Sequence, residues 1–237
     1  MRAKLYVILG SHACRAGILM LEHKGIEYET HTFPTGLHPF AVRLRGFPGQ
    51  TVPALKLDGE KVQTNPDIAR FLDRLQPEPP LFPADPERRA EVEEAERFAD
   101  DVFQMVARRL TFAGGVLRGE EGLNEGGDVG RLGPLLARSV AQRKRIGWVA
   151  SRFRFDVNVD TERELLAEFP GQLDRIDRWV EAGVLNGEEL NSADFQTAPS
   201  LALLCYRPDL RPDIESRPLG RLVDRLLPDP QASAAAA

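Results

Sequence analysis

The sequence predicts an α/β N-terminal domain of order βαβ-ββα, followed by an all-helical bundle. Three observations predict it. Strand-like, helix-like and strand-like runs follow one another within residues 1–33. A hairpin pattern and a capped helix complete residues 1–76. A proline-rich stretch then separates them from residues that read as helix almost throughout. The expected division is 1–76, a linker at 77–85, and a helical domain over 86–230.

Residues 4–9 form an apolar run that reads as a buried strand. The helix that follows covers 12–24, and Gly25 is its natural stop. Residues 27–33 alternate and carry Tyr28, Thr30 and Thr32, a second strand. Two strands joined by a helix in this way run parallel. Residues 34–48 read as irregular, with a short helix over 39–45. A hairpin follows: a strand to Leu57, a turn at Asp58-Gly59, and a strand to Val62. Pro53 at the start of that strand requires an edge, a bend or a cis peptide. It leaves the backbone groups of Val52 open to an extended peptide. Asn65-Pro66 then reads as N-cap and first helical residue of a helix reaching Leu75. Ile68, Phe71, Leu72 and Leu75 share one face of it.

The linker holds Pro77, Pro79, Pro80 and Pro83. Asp85-Pro86 caps a long helix whose apolar row is Val92, Ala95, Ala99, Val102, Val106 and Leu110. Its charged run 91–97 reads as the wet face. Residues 114–133 are glycine-rich with no helical period, which predicts a mobile loop, and they lack the order of a phosphate loop. Residues 134–155 read as another helix, with Arg143-Lys144-Arg145 on its solvated side. A further helix is expected over 161–182, kinked or broken at Pro170-Gly171, with Leu173, Ile176, Trp179 and Val180 as its apolar face. Asn191-Ser192-Ala193-Asp194 is a capping box opening a nearly uncharged, buried helix through Leu201, Leu204 and Cys205. A last helix is expected over 214–227, and 231–237 should fray.

Composition narrows the function. The chain has 237 residues, 42% of them hydrophobic, enough for a real core. Two cysteines, Cys14 and Cys205, make no disulfide framework and point to a reducing compartment, the cytoplasm. No apolar run reaches bilayer length, and Met1-Arg2-Ala3-Lys4 leads straight into a strand rather than a signal peptide. A formal charge of −5 argues against nucleic acid. Residues 1–76 hold 10 Lys and Arg against 7 Asp and Glu, so the N-terminal part is mildly basic and suits a small anion. No metal site is expected.

The turn Gly10-Ser11-His12-Ala13-Cys14 joins the first strand to the first helix. Helix N-termini carry free N–H groups and partial positive charge, so an anion, above all a sulfur anion, is favoured there. Both polar residues also have plain structural readings. Ser11 is a good N-cap, and Cys14 shares a helix row with Ile18 and Leu21. A histidine in such a turn is usually exposed, and His12 has a donor or base as its alternative reading.

Taken with Lys24-Gly25-Ile26-Glu27-Tyr28, with Val52-Pro53-Ala54-Leu55 and Asp58-Gly59, and with 187–194, this turn makes the chain resemble the soluble glutathione transferases of the serine and cysteine classes. The resemblance implies a thioredoxin-like N-terminal domain that binds glutathione and an apolar cosubstrate site facing the helical domain. It places Ser11 where a hydroxyl donates to the glutathione sulfur. It places Val52 and Pro53 where the tripeptide backbone pairs, and His38 where the glycyl end is touched. The family usually reads Glu-Ser or Gln-Ser where this chain has Thr64-Asn65, preceded by Gln63. These three are the candidate γ-glutamyl anchors. Phe103, Val106 and Phe112 are the candidate cosubstrate residues, covered by the glycine-rich loop. The resemblance also implies a homodimer. Two other functions compete: a non-catalytic binding or assembly module, and a thiol–disulfide enzyme using Cys14. Against the latter, the cysteine classes place their nucleophile at the position of Ser11.

Overall fold

A computed structural model describes residues 2–8, 10–34, 36–119, 132 and 155–228. Its first half is a four-stranded sheet of order β2-β1-β3-β4, built from β1 (Ala3–Ile8), β2 (Tyr28–Phe33), β3 (Ala54–Leu57) and β4 (Glu60–Gln63). β1 pairs parallel with β2, Leu5 opposite Thr30, and antiparallel with β3, Leu5 opposite Leu55. Alternation along β1 sends Leu5 and Val7 into the main core. Tyr6 goes to a second cluster with Phe33, Val42, Phe47 and Ala54. Helices α1 (His12–His23) and α3 (Asn65–Leu75) supply the first side, and α2 (His38–Leu44) the second. The hairpin turn is as expected, with Asp58 at φ +51° and Gly59 at φ +86°. This is a thioredoxin-like sheet.

The second half is helical among the described residues. It comprises α4 (Pro86–Phe98), α5 (Gln104–Arg118), α6 (Val159–Glu181), α7 (Ser192–Leu204), α8 (Arg211–Ser216) and α9 (Pro218–Leu226). Every residue of α7 is buried, and α1, α4 and α5 all pack against it. The capping box at Asn191 and Asp194 forms as the sequence predicts. Fully buried Arg207 bonds the Leu110 carbonyl at 2.7 Å and Glu162 at 2.7 Å, tying α5 and α6 to the end of α7.

Several expectations are corrected. A π-helical turn, Ala99–Phe103, joins α4 to α5. Its extra residue rotates the apolar row, so Val102 is 43% exposed and Phe103 is buried in its place. α5 continues through Gly114 and Gly115 to Arg118, so the glycine-rich stretch begins as buried helix. The remainder of that stretch apart from Leu132, and the helix expected over 134–155 apart from Phe155, lie outside the described residues, as does the tail 231–237. α6 runs unbroken through Pro170, held by Phe169, Leu173 and Ile176 in the core. The last helix is two, because Arg217, extended at ψ 163° ahead of Pro218, interrupts it. Thr64, not Asn65, caps α3.

α1 is fixed at both ends. Lys24, at its C-cap, is fully buried and its Nζ donates to Asp73 at 2.7 Å and to the carbonyls of Gln76 at 2.7 Å and Pro79 at 2.6 Å. Asp73 also accepts from the Leu81 N–H at 2.7 Å, and the Leu81 carbonyl accepts from the Ser192 N–H at 2.9 Å. One buried ammonium therefore holds the proline-rich segment between the sheet and α7. Removing one partner of such a pair leaves the other buried and unbalanced. Lys24→Met should lower stability by about 3 kcal/mol, read as a lower urea midpoint in equilibrium unfolding.

Candidate functional site

The site begins where β1 ends. Gly10, at φ +71°, turns the chain without a side-chain clash, and Ser11 follows in extended conformation as the N-cap of α1. Ser11 Oγ accepts from the Cys14 N–H at 3.2 Å. That bond uses a lone pair, and the same hydroxyl also bonds the Cys14 side chain. Ser11 is half-buried, and no acidic residue stands in the first turn of α1 to compete for its N–H groups. The helix terminus thus presents N–H dipoles and one hydroxyl donor to an approaching anion.

The two neighbours of Ser11 behave differently. His12 is buried rather than exposed, a correction whose cause is the covering helix α5. Burial first, and the Arg108 charge second, push its imidazole down to about 3, although the Gln104 backbone carbonyl accepts a bond from it. It is therefore neutral near pH 7. Cys14 is 3% exposed, and burial pushes its thiol up to about 11, outweighing the bond to Ser11 that favours the thiolate. It packs as a small apolar residue in the core.

The second wall is the segment before β3. The Val52–Pro53 peptide is cis, Pro53 is buried and Val52 half-buried. The β1–β3 ladder stops at Ala54 opposite Tyr6, so Val52 lies beyond the last paired residue. A Cβ built on Gly17 would stand 3.4 Å from Pro53 and 3.6 Å from Asn65 Oδ1, which shows how closely α1 passes both. Gln63 points back under this segment. Its Oε1 accepts from the Gly49 N–H at 2.6 Å and its Nε2 donates to the Thr51 carbonyl at 2.9 Å. Both ends of its amide are therefore engaged inside the protein.

The third wall is the start of α3. Thr64 adopts φ +69°, a strained backbone for a β-branched residue. Its hydroxyl accepts from the Asp67 N–H at 3.3 Å and donates to Asp67 Oδ2 at 2.8 Å. Asn65 is buried, and its Nδ2 donates to the Ala13 carbonyl at 3.0 Å. The start of α3 is thereby pinned to the first turn of α1. Its Oδ1 is buried with no hydrogen-bond partner among the described residues. The Asn65–Ala13 bond and the close passage of Gly17 by Pro53 and Asn65 thus bring α1, Pro53 and the start of α3 together. His38 opens α2, on the other side of the sheet, and is half-buried.

The expected cosubstrate residues divide. Phe103 and Val106 lie in the core, and Phe103 stacks on Phe98 at 6.0 Å, so neither lines an open site. The π-helical turn puts Phe103 in the place of Val102 in the apolar row, to which Val106 already belongs. Phe112 is half-buried and stacks on Phe155 at 5.2 Å. Arg108 lies 5.4 Å from the Phe155 ring centroid and donates to Gln104 Oε1 at 3.1 Å. Arg108 and Phe155 went unnoticed in the sequence. Arg108 stands at i and Phe112 at i+4 on one helix face, a usable signal, whereas Phe155 is distant in the chain. No group of three or more His, Cys, Asp or Glu able to hold a metal occurs among the described residues. None of the described helices is long and apolar enough to cross a membrane.

A hydroxyl and N–H groups at a helix start, beside a cis proline, can hold a thiolate and favour it over the thiol. Residues 5–80 match the family model for the glutathione S-transferase N-terminal domain. No functionally curated protein matches the sequence. Among solved structures the chain is similar to a glutathione S-transferase from Methylobacterium radiotolerans in complex with glutathione sulfonate, at TM-score 0.60 and 21% identity over 99% of this chain and 94% of that one. It is similar to glutathione transferase F2 from Populus trichocarpa, at TM-score 0.64 and 16% identity over 94% and 92%. It is also similar to maleylacetoacetate isomerase from Anaeromyxobacter dehalogenans, with bound dicarboxyethyl glutathione and citrate, at TM-score 0.57 and 20% identity over 95% and 89%. These likenesses show the fold. Residues 5–80 thus match a glutathione S-transferase N-terminal domain, and the chain as a whole has the fold of these glutathione S-transferase structures.

Proposed function

We propose that this protein binds glutathione against the starts of α1 and α3 and joins its sulfur to an electrophile. The observation that carries this reading is the Asn65–Ala13 bond, which holds two helix starts beside cis Pro53. The Ser11 hydroxyl donates to the sulfur, and the N–H groups of the first turn add their field. Together they favour loss of the thiol proton to solvent. The thiolate then attacks the electrophile, whose leaving group departs with the bonding pair. Val52 pairs with the backbone of the tripeptide. The γ-glutamyl end meets the start of α3 at Thr64 and Asp67, since both ends of the Gln63 amide are engaged within the protein and Asn65 is buried. Solved neighbours that hold glutathione or a glutathione adduct support this choice of thiol. Reduced, buried Cys14 and Cys205 suit a cytoplasmic protein. The high thiol pKa of Cys14 disfavours a thiol–disulfide enzyme.

We also read the protein as a homodimer. Leu37, Phe40 and Leu44 stand exposed along α2, with Arg43, Arg45 and Lys61 exposed near them. Val102 and Met105 are exposed on the helical half, beside exposed Asp101. An apolar basic face and an apolar acidic face on one chain suit a pair of copies exchanging them. Light scattering should return twice the chain mass, and a monomer at micromolar concentration would contradict this.

Ser11→Ala should lower kcat/KM for glutathione conjugation on the order of 10²-fold. The cap loss should cost only about 1 kcal/mol of stability. Cys14→Ala should keep the rate, and the native thiol should resist alkylation. An unchanged rate in Ser11→Ala removes the hydroxyl from the mechanism. A calorimetric titration silent towards glutathione would favour the non-catalytic module, for which the altered Thr64-Asn65 pair is the specific support.

A further inference from the structure

We infer that Gln63 is a positioning residue: its side-chain amide sets the shape of residues 49–52, the segment that offers the Val52 backbone to an extended thiol peptide. This rests on the glutathione-binding reading above and names a residue that serves it without touching the ligand.

Residues 49–52 have little else to shape them. The β1–β3 ladder stops at Ala54 opposite Tyr6, and among the described residues no backbone–backbone hydrogen bond reaches 48–52. Phe47 is packed in the second cluster at one end, and Pro53 is buried at the other. Between them, Gln63 Oε1 accepts from the Gly49 N–H at 2.6 Å and Gln63 Nε2 donates to the Thr51 carbonyl at 2.9 Å. One amide thus grips the segment at two points, two residues apart, just ahead of Val52.

The two contacts ask for opposite things. The N–H needs an acceptor and the carbonyl needs a donor, and a carboxamide supplies one of each. An ionised carboxylate would meet the carbonyl with a second acceptor, and an ammonium would meet the N–H with a donor. Gln63 is 7% exposed, so water is poorly placed to repair a mismatch. The fit also leaves no room. A Cβ on Gly49 would stand 2.8 Å from Gln63 Oε1, so position 49 takes no larger residue while the amide stays where it is. Gln63 is moreover the last residue of β4 and adjoins Thr64, whose φ of +69° opens α3. It therefore links the segment before Pro53 to the start of α3, the two places where the tripeptide is anchored away from its sulfur.

Calorimetric titration with S-methylglutathione tests this, because its capped sulfur does not ionise and pH then leaves the sulfur out of the measurement. Each Kd is divided by that of the wild type at the same pH. Gln63→Leu should raise this ratio to about ten at neutral and at mildly acidic pH. Gln63→Glu should show a similar ratio at neutral pH. Its ratio should fall by about threefold or more in acid, where a protonated carboxyl again offers one donor and one acceptor. A loss caused by general destabilisation shows no such recovery. Gly49→Ala, which displaces the amide while Gln63 stays intact, should raise the ratio to about three or more. Wild-type affinity in Gln63→Leu, or a Gln63→Glu penalty that does not change with pH, overturns the inference and leaves the glutathione reading standing. If the wild type itself does not bind S-methylglutathione, the glutathione reading fails, and amide hydrogen exchange decides the role of Gln63 alone. Exchange over 49–52 that is about tenfold faster in Gln63→Leu, with α1 unchanged, sustains the shaping role, and equal exchange overturns it.

Discussion

Asn65 Nδ2 donates to the Ala13 carbonyl at 3.0 Å, and the candidate site is assembled around that bond. Ala13 lies in the first turn of α1 and Asn65 in the first turn of α3. Two helix starts with unsatisfied N–H groups are thereby held side by side, with Pro53 packed against both at Gly17. The arrangement has a local consequence. An Asn whose side chain is turned inward cannot cap its own helix, so the cap passes to Thr64. Thr64 reaches the Asp67 N–H only by adopting φ +69°. Strain at Thr64 and the inward turn of Asn65 are two sides of one geometry.

Burial then separates residues that share the same helix terminus. Ser11 and Cys14 both feel the partial positive end of α1, which favours an anion. Cys14 is enclosed in the core, and desolvation outweighs that field, leaving a neutral thiol pushed up to about 11. Ser11 is half-buried, and an anion arriving at the helix start competes with the Cys14 side chain for its hydroxyl proton. His12, between them, is neutral for the same reason as Cys14, because enclosure disfavours its charged form. Of the three polar side chains in the turn, the hydroxyl alone is both accessible and chemically suited to a sulfur anion. Behind it, the buried Lys24 ammonium fixes the other end of α1, so the helix that carries the site is held along its length.

Much of the fold was legible because its signals are local. The parallel strand–helix–strand start, the Asp58-Gly59 turn, the proline before β3 and the Asn191–Asp194 capping box each need only neighbouring residues to be read. What escaped depends on distant packing. The π-helical turn changes the helix register by one residue, which a regular period does not foresee, and so Phe103 rather than Val102 packs into the core. Pro170 sits in a helix that core contacts on either side keep whole. Gln63 reads as a ligand anchor until the loop at Gly49 and Thr51 is seen to occupy its amide. The positions of Ser11 at a helix start and of Pro53 before β3 were legible, because each depends only on neighbouring residues. Arg108 and Phe155 were not, since nothing in the linear sequence brings residue 155 against α5.

The most direct test of the account is the ionisation of glutathione bound to the wild type and to Ser11→Ala, followed by thiolate ultraviolet absorbance against pH. The account predicts that the bound thiol ionises well below about 8.5, the ordinary thiol value, in the wild type and returns towards it in Ser11→Ala. A bound thiol that titrates at its ordinary value in the wild type, or equally low in both proteins, would contradict the role given to Ser11.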